Sequence, residues 1–220
     1  MRRRDLIAAL GVALWPGLGR AGAQRLTLSE AFVMLDSYLA LPPAERDRFS
    51  FAYRIMQGKK PAPNARAAFV DKAGARTPVT LSPDGTMLTL PTLAQLKSKA
   101  MFEIDGDNYQ FVLEPLAAIA PAARIDVNDL AASLAQLNAA VAKFARAQGA
   151  DIAKLTTAYF PGVVAGAAVL ASGSSKPLSV FDFQALGPTP YFEPGKAPAA
   201  IAVTFDKPPA RIVLAGPPRR

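Results

Sequence analysis

The chain contains neither cysteine nor histidine among its 220 residues. Without cysteine there is no disulfide, no thiol nucleophile and no iron–sulfur cluster, and zinc, copper and non-haem iron sites are built mainly from these two residue types. A Ser-His-Asp triad is excluded as well, because no side chain can act as the imidazole base. The sequence therefore predicts no metal site and no cofactor, with a hard cation held by oxygen ligands as the alternative. Its 51% of hydrophobic residues is enough for an apolar core.

The amino terminus has the three-part pattern of an export signal. A basic start that includes Arg3 and Arg4 precedes an uncharged apolar run, and small residues follow at Ala21 and Ala23. The two arginines, followed after one residue by an apolar pair, also resemble the twin-arginine signal. We expect cleavage after Ala23 and a soluble mature chain that is periplasmic or secreted. Export by the general secretory route is the alternative.

These features divide the sequence into a cleavable leader over 1–23, one α+β domain over 24–216 and a frayed tail over 217–220. A weak subdivision is placed near residue 121. The leader holds four of the 25 basic residues and one of the 17 acidic residues, so the mature chain has a net charge of about +5. We expect no transmembrane span in the mature chain, since its longest uncharged stretch is rich in Gly, Ser and Thr.

Strand patterns dominate the mature chain. Large apolar residues alternate with small or polar ones over 49–55, which predicts a half-buried strand. The sequence Ser-Pro-Asp-Gly at 82–85 predicts a turn between two strands, because Pro fixes its own φ and Gly accepts a positive φ. The carboxy-terminal segments 199–205 and 210–214 are predicted to pair with each other, and 187–195 is predicted to be a long loop.

Two helices are predicted beside the sheet. The capping box Thr27-Leu28-Ser29-Glu30 begins an amino-terminal helix that extends to about Leu39. Asp126 begins a long central helix that ends near Gly149, with an apolar stripe that we expect to pack on the sheet. The predicted fold class is therefore α+β, with mostly antiparallel sheets packed against an amino-terminal helix and one long central helix.

Carboxylates are the main catalytic groups that the composition leaves. Glu103, Asp105 and Glu114 supply, in principle, the acid and base of a hydrolase that acts on envelope polysaccharide. The alternative is that these residues are ordinary solvated side chains beside turns.

Two groups of residues are candidates for ligand binding. Lys59, Lys60 and Arg66 belong to a basic stretch over 46–76, which predicts attraction of an anionic partner. Tyr191 and Phe192 lie in a proline-rich segment and are candidates for an aromatic wall against an apolar ligand or a sugar. The alternatives are solvated strand edges for the basic residues and a loop anchored to the core for the aromatic ones.

Three functions follow as hypotheses. The first is a non-enzymatic exported domain that binds an anionic or apolar envelope ligand, or a protein partner, but not nucleic acid. The second is the carboxylate-based hydrolase. The third is an accessory subunit exported together with an enzyme, because twin-arginine export carries folded cargo.

Overall fold

The computed structural model describes residues 24–58, 60–106, 108–148, 153–182 and 187–218. Five predicted functional residues lie outside these ranges: Arg3, Arg4, Ala21, Ala23 and Lys59. The described residues form mostly antiparallel sheets with one long helix, which confirms the α+β class. They group into two compact units, and the prediction of a single domain over 24–216 stays a prediction.

The amino-terminal unit contains residues 24–42 and 51–114. Its elements, together with the two strands that it shares, are β1 (Gln24–Thr27), α1 (Leu28–Ala31), α2 (Leu35–Ala40), β2 (Phe49–Gln57), β3 (Lys60–Pro61), β4 (Ala67–Val70), β5 (Arg76–Pro78), α3 (Leu93–Lys97), β6 (Met101–Ile104) and β7 (Tyr109–Ala117). Four of the strands form an antiparallel sheet in the order β1-β6-β4-β5, and β2 lies between β7 and β3 in another sheet.

An aromatic cluster forms the core of this unit. The ring of Phe32 lies 5.1 Å from that of Tyr53 and 5.7 Å from that of Phe102. Phe69 and Phe111 lie 6.1 and 5.2 Å from Phe102. All five residues are buried, and such tilted and edge-to-face pairs add to the free energy gained by burying apolar area. The core therefore joins α1, the first sheet, β2 and β7.

The carboxy-terminal unit contains residues 43–50 and 115–218. Its elements are a 3₁₀ turn (Pro43–Glu45), β8 (Arg124–Asp126), α4 (Val127–Gln148), β9 (Thr157–Tyr159), β10 (Ala167–Leu170), β11 (Ser175–Pro177), β12 (Ser179–Asp182), β13 (Pro188–Phe192), a second 3₁₀ turn (Pro194–Lys196), β14 (Ala200–Thr204) and β15 (Val213–Ala215). One sheet has the order β11-β10-β14-β8, and β12-β13-β9-β15 lie side by side in another.

Helix α4 follows the prediction over Val127–Gln148, and the predicted end near Gly149 lies outside the described residues. The side chain of Asp126 accepts a 2.7 Å hydrogen bond from the backbone N–H of Asn128, as a helix cap does. The predicted apolar stripe of α4 is buried, and Leu130 and Leu137 have no exposed surface. Asn138 then fixes the chain beyond the helix, since its amide donates to Leu155 O and accepts from Leu155 N, both at 2.8 Å.

The predicted amino-terminal helix is not one continuous helix. The capping box of Thr27 and Glu30 is present, but α1 and α2 are separated by a turn in which Met34 adopts a left-handed backbone with φ of 68°. The break leaves the carbonyl of Val33 outside any helix, and Tyr53 Oη donates to it at 2.6 Å. The hydrogen bond from Tyr53 and the packing of Phe32 therefore outweigh the helical spacing of the apolar residues, which predicts one continuous helix.

Two predictions for the carboxy-terminal strands are wrong. β14 pairs with β10 and β8, whereas β15 pairs with β9 and β7, so the two strands do not form a hairpin. The segment between them bonds elsewhere, with Ala210 N donating to Pro161 O at 2.8 Å. The predicted loop over 187–195 instead contains β13. Its prolines cannot donate a backbone hydrogen bond, but their carbonyls can accept one, and Pro190 O accepts from Phe160 N at 2.9 Å.

The predicted turn at 82–85 is present, but a single bridge between Leu81 and Met87 stands in place of the two predicted strands. Gly85 is the residue that permits the turn. Gly85 has φ of +80°, and its carbonyl accepts from Ile55 N at 2.9 Å. A Cβ on Gly85 would lie 2.5 Å from the backbone oxygen of Ile55. The turn is thus pressed against β2.

We predict that Gly85→Ala destabilises the protein much more than Gly74→Ala. Both glycines have a positive φ, but a Cβ on Gly74 meets no described atom within 4 Å. Gly74→Ala should therefore lower the free energy of unfolding by about 1 kcal/mol, the cost of the left-handed backbone alone. Gly85→Ala should cost at least ~3 kcal/mol, since the backbone must also move. Urea denaturation of both variants measures this, and equal losses would contradict the turn's close approach to β2.

Candidate functional site

Three charged side chains of the described chain are buried, and all three belong to the amino-terminal unit. Arg54 and Glu103 are each 3% exposed, and Glu114 is 0% exposed. Charged groups are seldom buried without partners, because removal from water costs several kcal/mol per ion in an apolar medium. The partners of these three residues therefore define two charged clusters.

The first cluster is centred on Arg54. Arg54 Nη1 donates to Glu114 Oε1 at 2.8 Å, and its Nε and Nη2 donate to the backbone oxygen of Asp84 at 3.0 and 2.8 Å. The Asp84 carboxylate lies 3.6 Å from Arg54 Nε and also accepts from Ser82 Oγ at 2.5 Å. The guanidinium group thus joins β2, β7 and the turn at 82–85. We call these residues the Arg54 cluster.

The second cluster is centred on Glu103 in β6. Arg25 Nε lies 2.7 Å from Glu103 Oε1, and Arg76 Nη1 donates to Oε2. Glu103 faces Arg25 directly in the register of β1 and β6, while Arg76 reaches it from β5, beyond the intervening β4. The three side chains therefore share one face of the sheet. We call Arg25 and Arg76, held on Glu103, the arginine pair.

The arginine pair differs from the Arg54 cluster in its exposure. The Arg25 and Arg76 side chains are 67% and 52% exposed, although the carboxylate between them is buried. Two guanidinium groups and one carboxylate leave one net positive charge. Each guanidinium has five N–H donors, so Glu103 engages a minority of them. This arrangement can receive an anionic group such as a carboxylate or a phosphate, because two oxygens of either group match the paired N–H donors of a guanidinium.

The three candidate catalytic carboxylates have different partners and different exposure. Glu114 is bound by Arg54 and Glu103 by the arginine pair, so their oxygens already accept charged hydrogen bonds. Asp105 is exposed at the end of β6, where its N–H donates to Arg66 O at 2.9 Å. Their assignment as catalytic residues stays a prediction.

The candidate ligand-binding residues are also separated. Lys60 and Arg66 are exposed, on β3 and just before β4. Tyr191 is half-buried on β13, with its ring 5.7 Å from Tyr159, whereas Phe192 is 4% exposed and lies on the opposite face of the strand. Tyr191 and Phe192 therefore do not present one common aromatic wall, and Tyr191 instead extends a row with Tyr159.

Sequence reasoning missed the arginine pair and misjudged Arg54. Arg54 belongs to the basic stretch over 46–76, yet it follows Tyr53 in a strand that is otherwise mostly apolar, and a charge in that position indicates a buried partner. Arg25 and Arg76 carry no comparable signal. They are distant in sequence and meet only through the pairing of β1, β6, β4 and β5.

Comparison of the chain with models of protein families, with curated proteins and with solved structures gave no match. Within the described ranges, no three or more Asp or Glu side chains are grouped to hold a metal ion. No described helix is both long and apolar enough to cross a membrane.

We predict strong coupling between Arg54 and Glu114. Arg54→Met and Glu114→Leu should each lower the free energy of unfolding by ~3–5 kcal/mol, because each breaks the 2.8 Å ion pair between two buried charged groups. The double variant should lose much less than the sum. A double-mutant cycle in urea measures the coupling, with Lys143→Met as control, since the exposed Lys143–Glu45 pair should contribute under about 1 kcal/mol. Additive losses of unfolding free energy for the Arg54 and Glu114 variants would contradict the predicted coupling.

We also predict that stability falls above about pH 10 and that Tyr53 accounts for part of the loss. Burial raises the pKa of Tyr53 well above its ordinary value of 10.0, and the nearby charge of Asp36 raises it further. Above that pH the unfolded chain releases the phenol proton while the folded chain keeps it, so the free energy of unfolding declines as pH rises. Tyr53→Phe should be less stable at pH 7 by about 1 kcal/mol, through loss of the bond to Val33, but its stability should fall less steeply. Denaturation at stepped pH tests this, and parallel curves would refute it.

Proposed function

We propose that the mature chain is a non-enzymatic protein of the cell envelope that binds a phosphate- or carboxylate-bearing ligand at the arginine pair. The observation that carries this proposal is the buried carboxylate of Glu103, shared by two arginines that are more than half exposed. The carboxylate holds both guanidinium groups in place before a ligand arrives. Less conformational entropy is then lost on binding, which favours affinity.

The charge around the pair supports an anionic ligand. Within the hairpin of β4 and β5, the Asp71 carboxylate is hydrogen-bonded to the turn. Its Oδ1 accepts from the N–H groups of Ala73 and Ala75 at 2.8 and 2.9 Å. Lys72 and Arg76 of the same hairpin are exposed. Asp71 is exposed as well, but two basic residues against one acidic residue leave the hairpin with a net positive charge, which attracts anions at low ionic strength.

The engaged carboxylates favour this proposal over the hydrolase. Glycoside hydrolysis needs one carboxyl group to protonate the leaving oxygen and a second to act as base or nucleophile beside the substrate. Glu103 and Glu114 instead contact different arginines, and Glu114 has no exposed surface. Location outside the cytoplasm rests on the leader pattern, with Arg3, Arg4, Ala21 and Ala23.

Titration of the mature chain with inorganic phosphate, and separately with citrate, tests the proposal. We predict saturable changes in the Arg25 and Arg76 side-chain signals in ¹H–¹⁵N spectra. In the triple variant Arg25→Gln/Glu103→Gln/Arg76→Gln the affinity should fall at least about tenfold, since a hydrogen bond to a charged group contributes ~1.5–3 kcal/mol. Including Glu103→Gln avoids leaving a buried charge unpaired.

The matched control is Lys97→Gln/Lys99→Gln. Both lysines are exposed and belong to the same unit, and this variant retains the arginine pair. It lowers the net charge by two, whereas the triple variant lowers it by one, so a loss of affinity confined to the triple variant does not come from net charge. Its affinity should stay within about twofold of the wild type in 0.15 M salt, where screening limits distant charges. Binding that falls equally in both variants, or no saturable change with either anion, would overturn the proposal.

A further inference from the structure

Gln24 is the residue that becomes the amino terminus when the leader is cleaved after Ala23. It is also the first residue of β1, where it pairs with Ile104 of β6. Its neighbour Arg25 contacts Glu103, so the strand is fixed from its second residue onward. The inference below rests on the proposed export, because it needs a free α-amino group on Gln24.

The side chain of Gln24 carries a polar atom that the fold does not satisfy. Gln24 Nε2 is buried and has no hydrogen-bond partner, and no other buried side-chain nitrogen or oxygen in the described residues is in this condition. A buried amide N–H₂ without an acceptor lowers stability, and buried polar groups in native proteins are nearly always paired. This orphaned amide therefore calls for an explanation specific to Gln24.

We infer that Gln24 is a modification site and that the mature chain begins with pyroglutamate. The α-amino nitrogen attacks the side-chain carbonyl carbon Cδ and forms the bond that closes a five-membered lactam. The bond between Cδ and Nε2 breaks, and Nε2 leaves as ammonia, with a proton that comes from the attacking amine. The reaction needs no water, oxidant or co-reactant. An α-amino group has a pKa of about 7.7–8.0, so a useful fraction is uncharged and nucleophilic near neutral pH.

The leaving group is the atom that the fold fails to satisfy. Cyclisation removes the unpaired N–H₂ and converts the charged α-ammonium group into a neutral lactam N–H. It thereby removes a positive charge one residue from Arg25, which together with Arg76 already exceeds the single negative charge of Glu103. The folded state therefore favours the cyclised terminus over the free one.

Intact and peptide mass spectrometry of the chain, purified after export from its own host, tests this inference. The expected species starts at residue 24 and is lighter by one ammonia than the free Gln24 chain. It resists Edman degradation until a pyroglutamate aminopeptidase removes the first residue. Gln24→Thr, which has no side-chain carbonyl to attack, should be exported and cleaved but keep a free amino terminus.

The outcomes separate this inference from the proposed function. A chain that starts at Gln24 with its full mass overturns the inference and leaves the proposed export intact. A chain cleaved at another residue overturns the inference alone, whereas a chain that retains residues 1–23 overturns the proposed export as well. As a second measurement, the cyclised chain should unfold about 2–4 °C above the same chain with free Gln24, the shift expected for a small gain in stability at this size. An equal or lower unfolding temperature contradicts the role given to the buried amide.

Discussion

The amino-terminal unit depends on one buried arginine. Arg54 satisfies the carboxylate of Glu114 and the backbone oxygen of Asp84 at once, so it fixes β7 and the turn at 82–85 against the middle of β2. The residues on either side of it, Tyr53 and Ile55, are also buried. β2 therefore has apolar residues on one face and a satisfied charge on the other, and a strand with this composition has one stable register.

The parts of the fold that sequence reasoning predicted are those encoded by local signals. The capping box at Thr27, the cap at Asp126 and the Pro-Asp-Gly turn each depend on residues within a few positions of one another, and all three are present. The single helix through Met34 and the hairpin of β14 with β15 were wrong for a common reason. In both cases long-range packing and hydrogen bonds, such as Tyr53 to Val33, outweigh local spacing.

The contacts of the candidate site are also long-range, so the sequence predicts them even less well than the fold. Counting charges along the chain grouped Arg54 with Lys60 and Arg66, although one is buried and the other two are exposed. The arginine pair was not predictable, because Arg25 and Arg76 become neighbours only after four strands have paired. Composition alone excluded cysteine and histidine chemistry, but the engagement of Glu103 and Glu114 by arginines required side-chain geometry.

The central claim is that Glu103 is an internal counter-ion that holds two arginines for an external anion. The most direct test is the phosphate affinity of Glu103→Gln relative to the wild type, measured by calorimetry at low ionic strength. If Glu103 holds the two guanidinium groups in place for the ligand, its removal should weaken phosphate binding even though the net positive charge rises by one. Unchanged or tighter binding by Glu103→Gln, with the variant shown to be folded, would contradict the account.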